Sequence, residues 1–191
     1  MKRNVLLVVL ILFFGLSAAG QSIDGTLGNI RRYYNDISEK ARLAETDDDQ
    51  GQFGDLVMNE LVINKRGHQW RAVGIFKEIY KFFYRGGDSE EHMYPDQLAM
   101  VKVERHSSNR RYVEEFVYDH AGRLIFYFQK AENDELVPSE RRIYFSTTRP
   151  IRINEDMKVR DRLTAKDLRT AADVVAEAAK IKDLFLRSIK L

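Results

Sequence analysis

Histidines and strand carboxylates are the side chains of this sequence that could do acid–base or metal chemistry. No two histidines have the four-residue spacing of helix-borne metal ligands, so a metal site would have to be assembled in space from His106, Glu114 and His120. A hydrolase acting on a glycan or a peptide needs two converging carboxylates, and Glu104 and Glu114, with His120, are the candidates. Glu114 and Glu115 cannot form that pair because adjacent strand residues point to opposite faces. Solvated turn histidines and ordinary strand acids explain these residues more simply, and we predict no catalytic residue and no metal ligand.

The acidic segment Asp47–Asp55 has a composition that suggests calcium. It combines carboxylates with glycines, and oxygen-rich loops of this kind bind Ca²⁺. A loop of the EF-hand type beginning at Asp49 would place Gly51 and Phe53 at two ligand positions, and neither offers a side-chain oxygen. The segment is therefore predicted to be a solvated loop, with calcium binding as the open alternative.

Aromatic side chains concentrated in the predicted strands are the most suggestive binding feature. Several strands carry tyrosine and phenylalanine at alternate positions, and arginines lie beside them in the sequence. Arginine next to aromatic rings suits the recognition of planar or anionic groups. The candidate ligand-binding residues are Tyr80, Phe82, Tyr84, Tyr112, Phe116, Tyr118, Arg111 and Arg142. The same rings could instead form a core or a dimer surface, since several strands carry aromatic residues on both faces.

Residues 1–20 predict export. Lys2 and Arg3 precede an apolar run from Val5 to Leu16, and small residues follow it, as in a secretory signal peptide. We expect cleavage after Gly20 and a secreted or periplasmic protein. The apolar run is too short to cross a hydrocarbon core about 30 Å thick as a helix, and we expect no transmembrane segment after cleavage. A bacterial source is favoured because small secreted domains elsewhere more often carry cystines.

The composition and the motifs that the sequence lacks argue against several classes of enzyme and against nucleic-acid binding. The sequence lacks glycine-rich phosphate loops, dinucleotide fingerprints and serine-nucleophile motifs, so no cofactor is predicted. It contains no cysteine, which excludes disulfides, thiolate metal sites and cysteine nucleophiles. The formal net charge is +2, and the loss of Lys2 and Arg3 with the signal peptide would bring it to neutrality. A neutral chain gives no support for nucleic-acid binding.

The elements that must position these residues belong to one domain, which we place at residues 21–191. Apolar residues three and four positions apart predict one helix over 21–45 and another over 164–190. Over residues 56–153, alternating apolar residues and turn-forming segments predict strands joined as hairpins. Thr164 and Asp167 have the spacing of a capping box, which marks the start of the second helix.

These elements predict an α+β fold. The links between strands are too short for parallel crossovers, so the sheet should be an antiparallel meander of about six to seven strands. The N-terminal and C-terminal helices should pack on one face of this sheet. The other face is then left for a second core layer, a dimer surface or a ligand.

The most favoured function is a non-catalytic exported binding module that holds a peptide, a lipid or a small organic ligand on the aromatic face of a curved sheet. This expectation depends on the export signal and the strand aromatics, together with the lack of a catalytic motif. The first alternative is a structural or interaction protein of the cell envelope, in which the rings form the interface of a homo-oligomer. The second alternative is the hydrolase considered above.

Overall fold

The computed structural model describes residues 23–46, 56–71, 74–86, 90 and 96–189 of the chain. The predicted signal peptide with its cleavage site after Gly20, and the predicted loop Asp47–Asp55, lie outside the described residues. The helices and strands are α1 (Ile23–Glu45), β1 (Val57–Ile63), β2 (Gln69–Trp70), β3 (Gly74–Arg85), β4 (Gln97–Ser107), β5 (Arg110–Tyr118), β6 (Leu124–Glu132), β7 (Glu140–Ser146), β8 (Arg149–Glu155), β9 (Lys158–Arg160) and α2 (Ala165–Ile189).

The nine strands of the described residues form one open antiparallel sheet, which confirms the predicted α+β fold. From β3 to β9 each strand pairs with the next along the chain, while β1 and the two-residue β2 both pair with β3. Short connections make this order possible because antiparallel neighbours need only a tight turn. The sheet has more strands than expected because the sequence pattern merges β2 with β3 and does not reach β9.

The two helices lie on opposite faces of the sheet, which corrects the expectation that both pack on one face. α1 buries its apolar stripe on one face, where it meets Phe83, Val117 and Phe126. α2 buries its stripe on the other face, where it meets Phe82 and Phe116. Phe82 and Phe83 are adjacent in β3 and point to opposite sides, and each ring is covered by the helix on its own side. The apolar residues on both faces of the strands thus form two cores.

Three β-bulges determine which residues each helix covers. At each bulge one extra residue interrupts the pairing, namely Ala99 in β4, Ile125 in β6 and Ile151 in β8. All three extra residues pack in the cluster beneath α1. A bulge also inverts the alternation of faces beyond it, and this inversion brings Leu98 and Leu124 to the α2 face.

The predicted capping box begins α2 and connects it to the last strand. The Thr164 backbone N–H donates to Asp167 Oδ2 at 2.9 Å, and the Asp167 backbone N–H donates to Thr164 Oγ1 at 3.2 Å. Arg160 of β9 also donates to Asp167, at 2.8 Å. These contacts fix the start of α2 at the edge of the sheet.

Both helices are amphipathic. Each buries one apolar stripe against the sheet and exposes charged residues on the other side. Among the residues that the structure describes, no helix is both long and apolar enough to span a bilayer.

Candidate functional site

Five of the eight predicted ligand-binding side chains belong to the core beneath α2. They are Tyr80, Phe82, Tyr84, Phe116 and Tyr118, and none is more than 7% exposed. Phe185 of α2 packs on two of these rings, with centroid distances of 5.6 Å to Phe82 and 5.0 Å to Tyr84. The structure therefore brings these rings together beneath a helix and not on an open face.

The other three predicted residues lie apart from this core. Tyr112 donates a hydrogen bond to Asp134 in the segment between β6 and β7. Arg111 is exposed and pairs with Glu104 at 3.3 Å. Arg142 lies on the α1 face, across the sheet from the buried aromatic cluster. The eight residues therefore do not share one surface.

The residues considered for hydrolysis or metal binding are not assembled into a site. Glu114 is the cross-strand partner of Val103, whose side chain faces α2, whereas Glu104 follows Val103 and faces the opposite side. His120 lies in the turn after β5, where its ring packs edge-on against Tyr33 at 5.8 Å. Within the described ranges, no three His, Asp or Glu side chains are grouped so that they could hold a metal ion. The two candidate carboxylates cannot converge across a cleft because the sheet separates them.

A groove of about 510 Å³ between α2 and the sheet is the candidate functional site. Its volume lies within the range of roughly 300–1,000 Å³ that is typical of small-molecule sites. Its floor consists of Glu114, Phe116, Tyr127 and Arg141, and its wall is the flank of α2 from Thr170 to Lys180. Most of the lining residues are polar or charged, and both signs of charge are present.

Arg105 contacts two residues of the groove, Glu114 and Glu177, and is surrounded by three carboxylates. It forms ion pairs with Glu114 and, at 2.9 Å, with Glu177 of α2, and it lies 3.7 Å from Glu78. Glu114 is buried, and the Tyr127 hydroxyl donates to its Oε1 at 2.6 Å. Burial raises the pKa of Tyr127, so the hydroxyl stays protonated and remains a donor. The charges at the floor are therefore held in place by partners on neighbouring strands and on α2.

A row of polar side chains continues from this cluster to the start of α2. Arg141 donates to Gln129 at 3.2 Å and to Glu155 at 2.9 Å, and Arg160 donates to Glu155 at 2.6 Å. Burial alone would raise the pKa of Glu155, but the hydrogen bonds from Arg160 and Arg141 hold this pKa below its usual value. Arg160 then reaches Asp167 at the cap of α2. This polar row joins β6, β7, β8 and β9 to the helix that covers them.

Sequence reasoning selected Glu114 and Phe116 as candidates. It noted Tyr127 and Arg141 only among the strand aromatics and arginines, and it gave the lining residues of α2 no part in a site. Glu114, Gln129 and Arg141 occupy directly paired positions on β5, β6 and β7. This alignment depends on the strand register, which the sequence does not reveal. The available signal is that each strand has a polar residue two positions from an apolar residue of the same face, as Glu114 is from Phe116 and Arg141 from Ile143.

The groove presents fixed charges and hydrogen-bond donors to a ligand. Asp173 and Lys180 are exposed at its rim, and Arg141 and Tyr127 form part of its floor. Such a set can bind both the cationic and the anionic groups of one molecule. Comparisons with protein-family models, with curated proteins and with solved structures gave no match for this chain. The function is therefore argued from the geometry of the site.

Proposed function

We propose that the protein is a non-catalytic exported binding module and that its ligand lies in the groove between α2 and the sheet. The observation that carries the proposal is an open groove of about 510 Å³ with charges of both signs in its lining. Export is supported by the signal-peptide pattern of residues 1–20. The hydrolase has less support because Glu104, Glu114 and His120 lie apart.

The lining favours a small polar ligand, such as an amino acid or a short peptide, over a lipid. Arg141 and Lys180 can pair with a carboxylate, and Asp173 and Glu177 can pair with an ammonium group. Phe116 adds a limited apolar contact at the floor. A lipid chain would leave these charges desolvated without partners, which is costly.

The substitution Asp173→Trp tests this site by filling it. Asp173 is exposed and lines the groove, so an indole there should occupy the space without disturbing the core. Asp183→Trp is the matched control because it makes the same change on the same helix outside the groove. A panel of amino acids and dipeptides, read by thermal shift and then by calorimetry, should contain ligands that stabilise the wild type and Asp183→Trp alike.

The expected result is that Asp173→Trp loses this stabilisation. A ligand present at one hundred times its Kd stabilises a folded protein by about 2.7 kcal/mol, which a thermal shift detects easily. Equal stabilisation of the two variants would place the ligand elsewhere. If no amino acid or dipeptide stabilises the wild type, this ligand class is wrong.

An exposed apolar patch favours a second candidate, an interaction protein that forms a homo-oligomer. Ile63, Trp70 and Ile75 are each at least 38% exposed and lie where β1 and β2 border β3. In the described residues β1 pairs with β3 on one side and with no strand on the other, so it is an edge strand of the sheet. An edge strand beside exposed apolar side chains can pair with another chain.

Sedimentation velocity over about 1 to 100 µM tests this candidate, because self-association depends on protomer concentration. Trp70→Glu should shift an oligomer toward the monomer. Leu136→Glu is the control, since Leu136 is 83% exposed and lies in the segment between β6 and β7. A wild-type protein that stays monomeric throughout this range would contradict the homo-oligomer as a candidate function.

A further inference from the structure

A second cavity lies on the opposite face of the sheet, between α1 and the strands β6 and β7. Its volume is about 220 Å³. Arg31, Tyr34 and Asn35 line it from α1, and Phe126, Arg142 and Tyr144 line it from the sheet. None of these six residues is acidic. The proposed function of the α2 groove does not involve this cavity.

Two arginines give the cavity a positive charge. The Arg31 guanidinium lies 5.6 Å from the centroid of the Tyr144 ring, and no acidic partner for it is found in the described part of the chain. Arg142 lies 5.2 Å from the centroid of the Phe128 ring and pairs at 2.9 Å with Glu140, a half-exposed carboxylate at the surface. Surface ion pairs of this kind are weak, so the Arg142 guanidinium can also bind an incoming anion. A guanidinium that stacks on a ring still directs its N–H groups outward in its own plane.

A hydroxyl without a partner among the described residues belongs to Tyr144, which lines the same cavity. Tyr144 is 4% exposed as a residue, but its hydroxyl oxygen is not fully buried and makes no hydrogen bond to the residues that the structure describes. The neighbouring Tyr34 hydroxyl, by contrast, donates to Glu115 at 2.7 Å. Tyr144 therefore has an unused donor in a cavity that also contains two guanidinium groups.

The floor of the cavity is apolar. The rings of Phe126 and Tyr144 lie across the β6–β7 pair with their centroids 5.1 Å apart, and both residues are buried. An inorganic anion would gain nothing from these rings. An anion with an apolar body would contact them and thereby remove its own apolar surface from water.

We propose that this cavity binds the carboxylate of a small organic acid whose apolar body rests on the rings of Phe126 and Tyr144. The planar carboxylate matches the fork of guanidinium donors that Arg31 and Arg142 present. The hydroxyl of Tyr144 supplies a further donor to the same group. The cavity is smaller than the roughly 300 Å³ at which typical small-molecule sites begin, so the body is limited to about one ring or a short chain.

Benzoate binding to the purified protein tests the proposal, measured by calorimetry and by NMR chemical shifts. Benzamide has the same ring without the charge, and inorganic phosphate has charge without the ring. The two compounds therefore separate the contributions of the guanidinium groups and of the apolar floor. We expect benzoate to bind with a Kd of about 1 mM or lower, and at least about tenfold more tightly than either comparison compound.

Substitutions then locate the site. Arg31→Gln should weaken benzoate binding at least about tenfold because it removes charge-assisted donors. Tyr144→Phe keeps the ring and removes the hydroxyl, and it should weaken binding about three- to tenfold. Arg32→Gln is the matched control, because Arg32 is the next residue of α1, is exposed and does not line the cavity. It should bind benzoate as the wild type does.

Equal benzoate binding by Arg31→Gln and the wild type would overturn the assignment to this cavity. Benzamide or phosphate binding as tightly as benzoate would overturn the organic carboxylate as the ligand. So would undetectable benzoate binding at about 10 mM, a concentration at which a Kd of about 1 mM gives nearly full occupancy. These outcomes do not depend on the α2 groove, which lies on the other face of the sheet and is tested through Asp173.

Discussion

The hydroxyl of Tyr118 donates a hydrogen bond of 2.9 Å to the backbone carbonyl oxygen of Ala178, which ties β5 to the middle of α2. Tyr118 is 2% exposed, and burial raises the pKa of its hydroxyl, so the group remains a donor. One turn further along α2, Lys182 donates to the carbonyl oxygen of Gly122 at 2.8 Å. These two contacts hold α2 at the β5–β6 hairpin, and the groove wall is thereby fixed relative to its floor.

Tyr118→Phe should lower the free energy of unfolding by about 1 kcal/mol, because the ring is kept while one buried hydrogen bond is lost. Urea unfolding measures this change. Tyr144→Phe is the control, since its hydroxyl makes no hydrogen bond in the described residues, and it should change stability by less than about 0.5 kcal/mol. Equal losses in the two variants would show that the contact with Ala178 does not stabilise the fold.

Arg105→Met should destabilise the protein by about 3–5 kcal/mol, because Glu114 would stay buried without its cation. Adding Glu114→Gln to this variant should recover part of the loss, since the amide needs no counter-charge and still accepts from Tyr127. Urea unfolding of the two single variants and the double variant gives the coupling energy.

The matched control for Arg105→Met is Arg111→Met on the next strand. Arg111 is exposed and pairs with Glu104 at 3.3 Å, and surface pairs of this kind contribute about 0–1 kcal/mol. If the two arginine variants lose the same stability, the cluster of Arg105 with its three carboxylates is not an energetically significant ion-pair network.

Local sequence patterns were sufficient to predict the helices, the hairpins and the antiparallel sheet. The apolar stripe of each helix follows the 3.6-residue period, and Thr164 with Asp167 marks the start of α2 by hydrogen bonds within one turn. The turn segments are equally local, as in the hairpin that contains Gly122 with a φ of 69°. Features that depend on neighbours a few residues away can be read without knowing the tertiary structure.

The face that each residue occupies could not be predicted from alternation alone. Alternation places Ala99 on the face of Val101 and Val103, but the bulge in β4 moves it into the cluster beneath α1. Adjacent Phe82 and Phe83 show that β3 is apolar on both sides, yet nothing in their spacing assigns one helix to each side. The groove was missed for the same reason, because its residues meet only through long-range strand register.

The stabilisation that the ionised Asp167 carboxylate contributes should be lost in acid. Burial alone would raise the pKa of Asp167, but the hydrogen bonds from Thr164 and Arg160 hold this pKa below its ordinary value of 3.8. A lowered pKa in the folded state stabilises the fold above the ordinary pKa, and this contribution is lost as the pH falls through the folded-state value. Asp167→Asn should therefore be less stable than the wild type at pH 7, by about 1–2 kcal/mol.

The difference between Asp167→Asn and the wild type should shrink as the pH is lowered from about 5 to about 2, measured by urea unfolding at each pH. Asp173→Asn is the control, because Asp173 is exposed on the same helix and forms no ion pair or hydrogen bond within the described residues. A difference for Asp167→Asn that stays constant over this range would contradict the assigned role of the carboxylate at the cap.

Glu115 lies on the α1 face, and its contribution to the stability of the fold should have the opposite pH dependence. Burial raises the pKa of its carboxyl above 4.5, and the hydrogen bond from Tyr34 and the charge of Lys102 offset this only in part. The contribution of a group with a raised folded-state pKa is fully present below about pH 4.5 and is lost as the pH rises through the folded-state value. Glu115→Gln keeps an acceptor for Tyr34 but cannot ionise. It should therefore be more stable than the wild type at pH 7, by about 0.5–1 kcal/mol.

The gain in Glu115→Gln should vanish near pH 4 and below, where the wild-type carboxyl is protonated as well. Urea unfolding between about pH 4 and pH 8 measures this convergence. Glu132→Gln is the control, because Glu132 is exposed and pairs with Lys130 at 3.6 Å, and it should change stability by less than about 0.5 kcal/mol throughout. A Glu115→Gln variant that is less stable than the wild type at pH 7 would mean that the ionised carboxylate stabilises the fold, because its attraction to Lys102 would then exceed the cost of burying it.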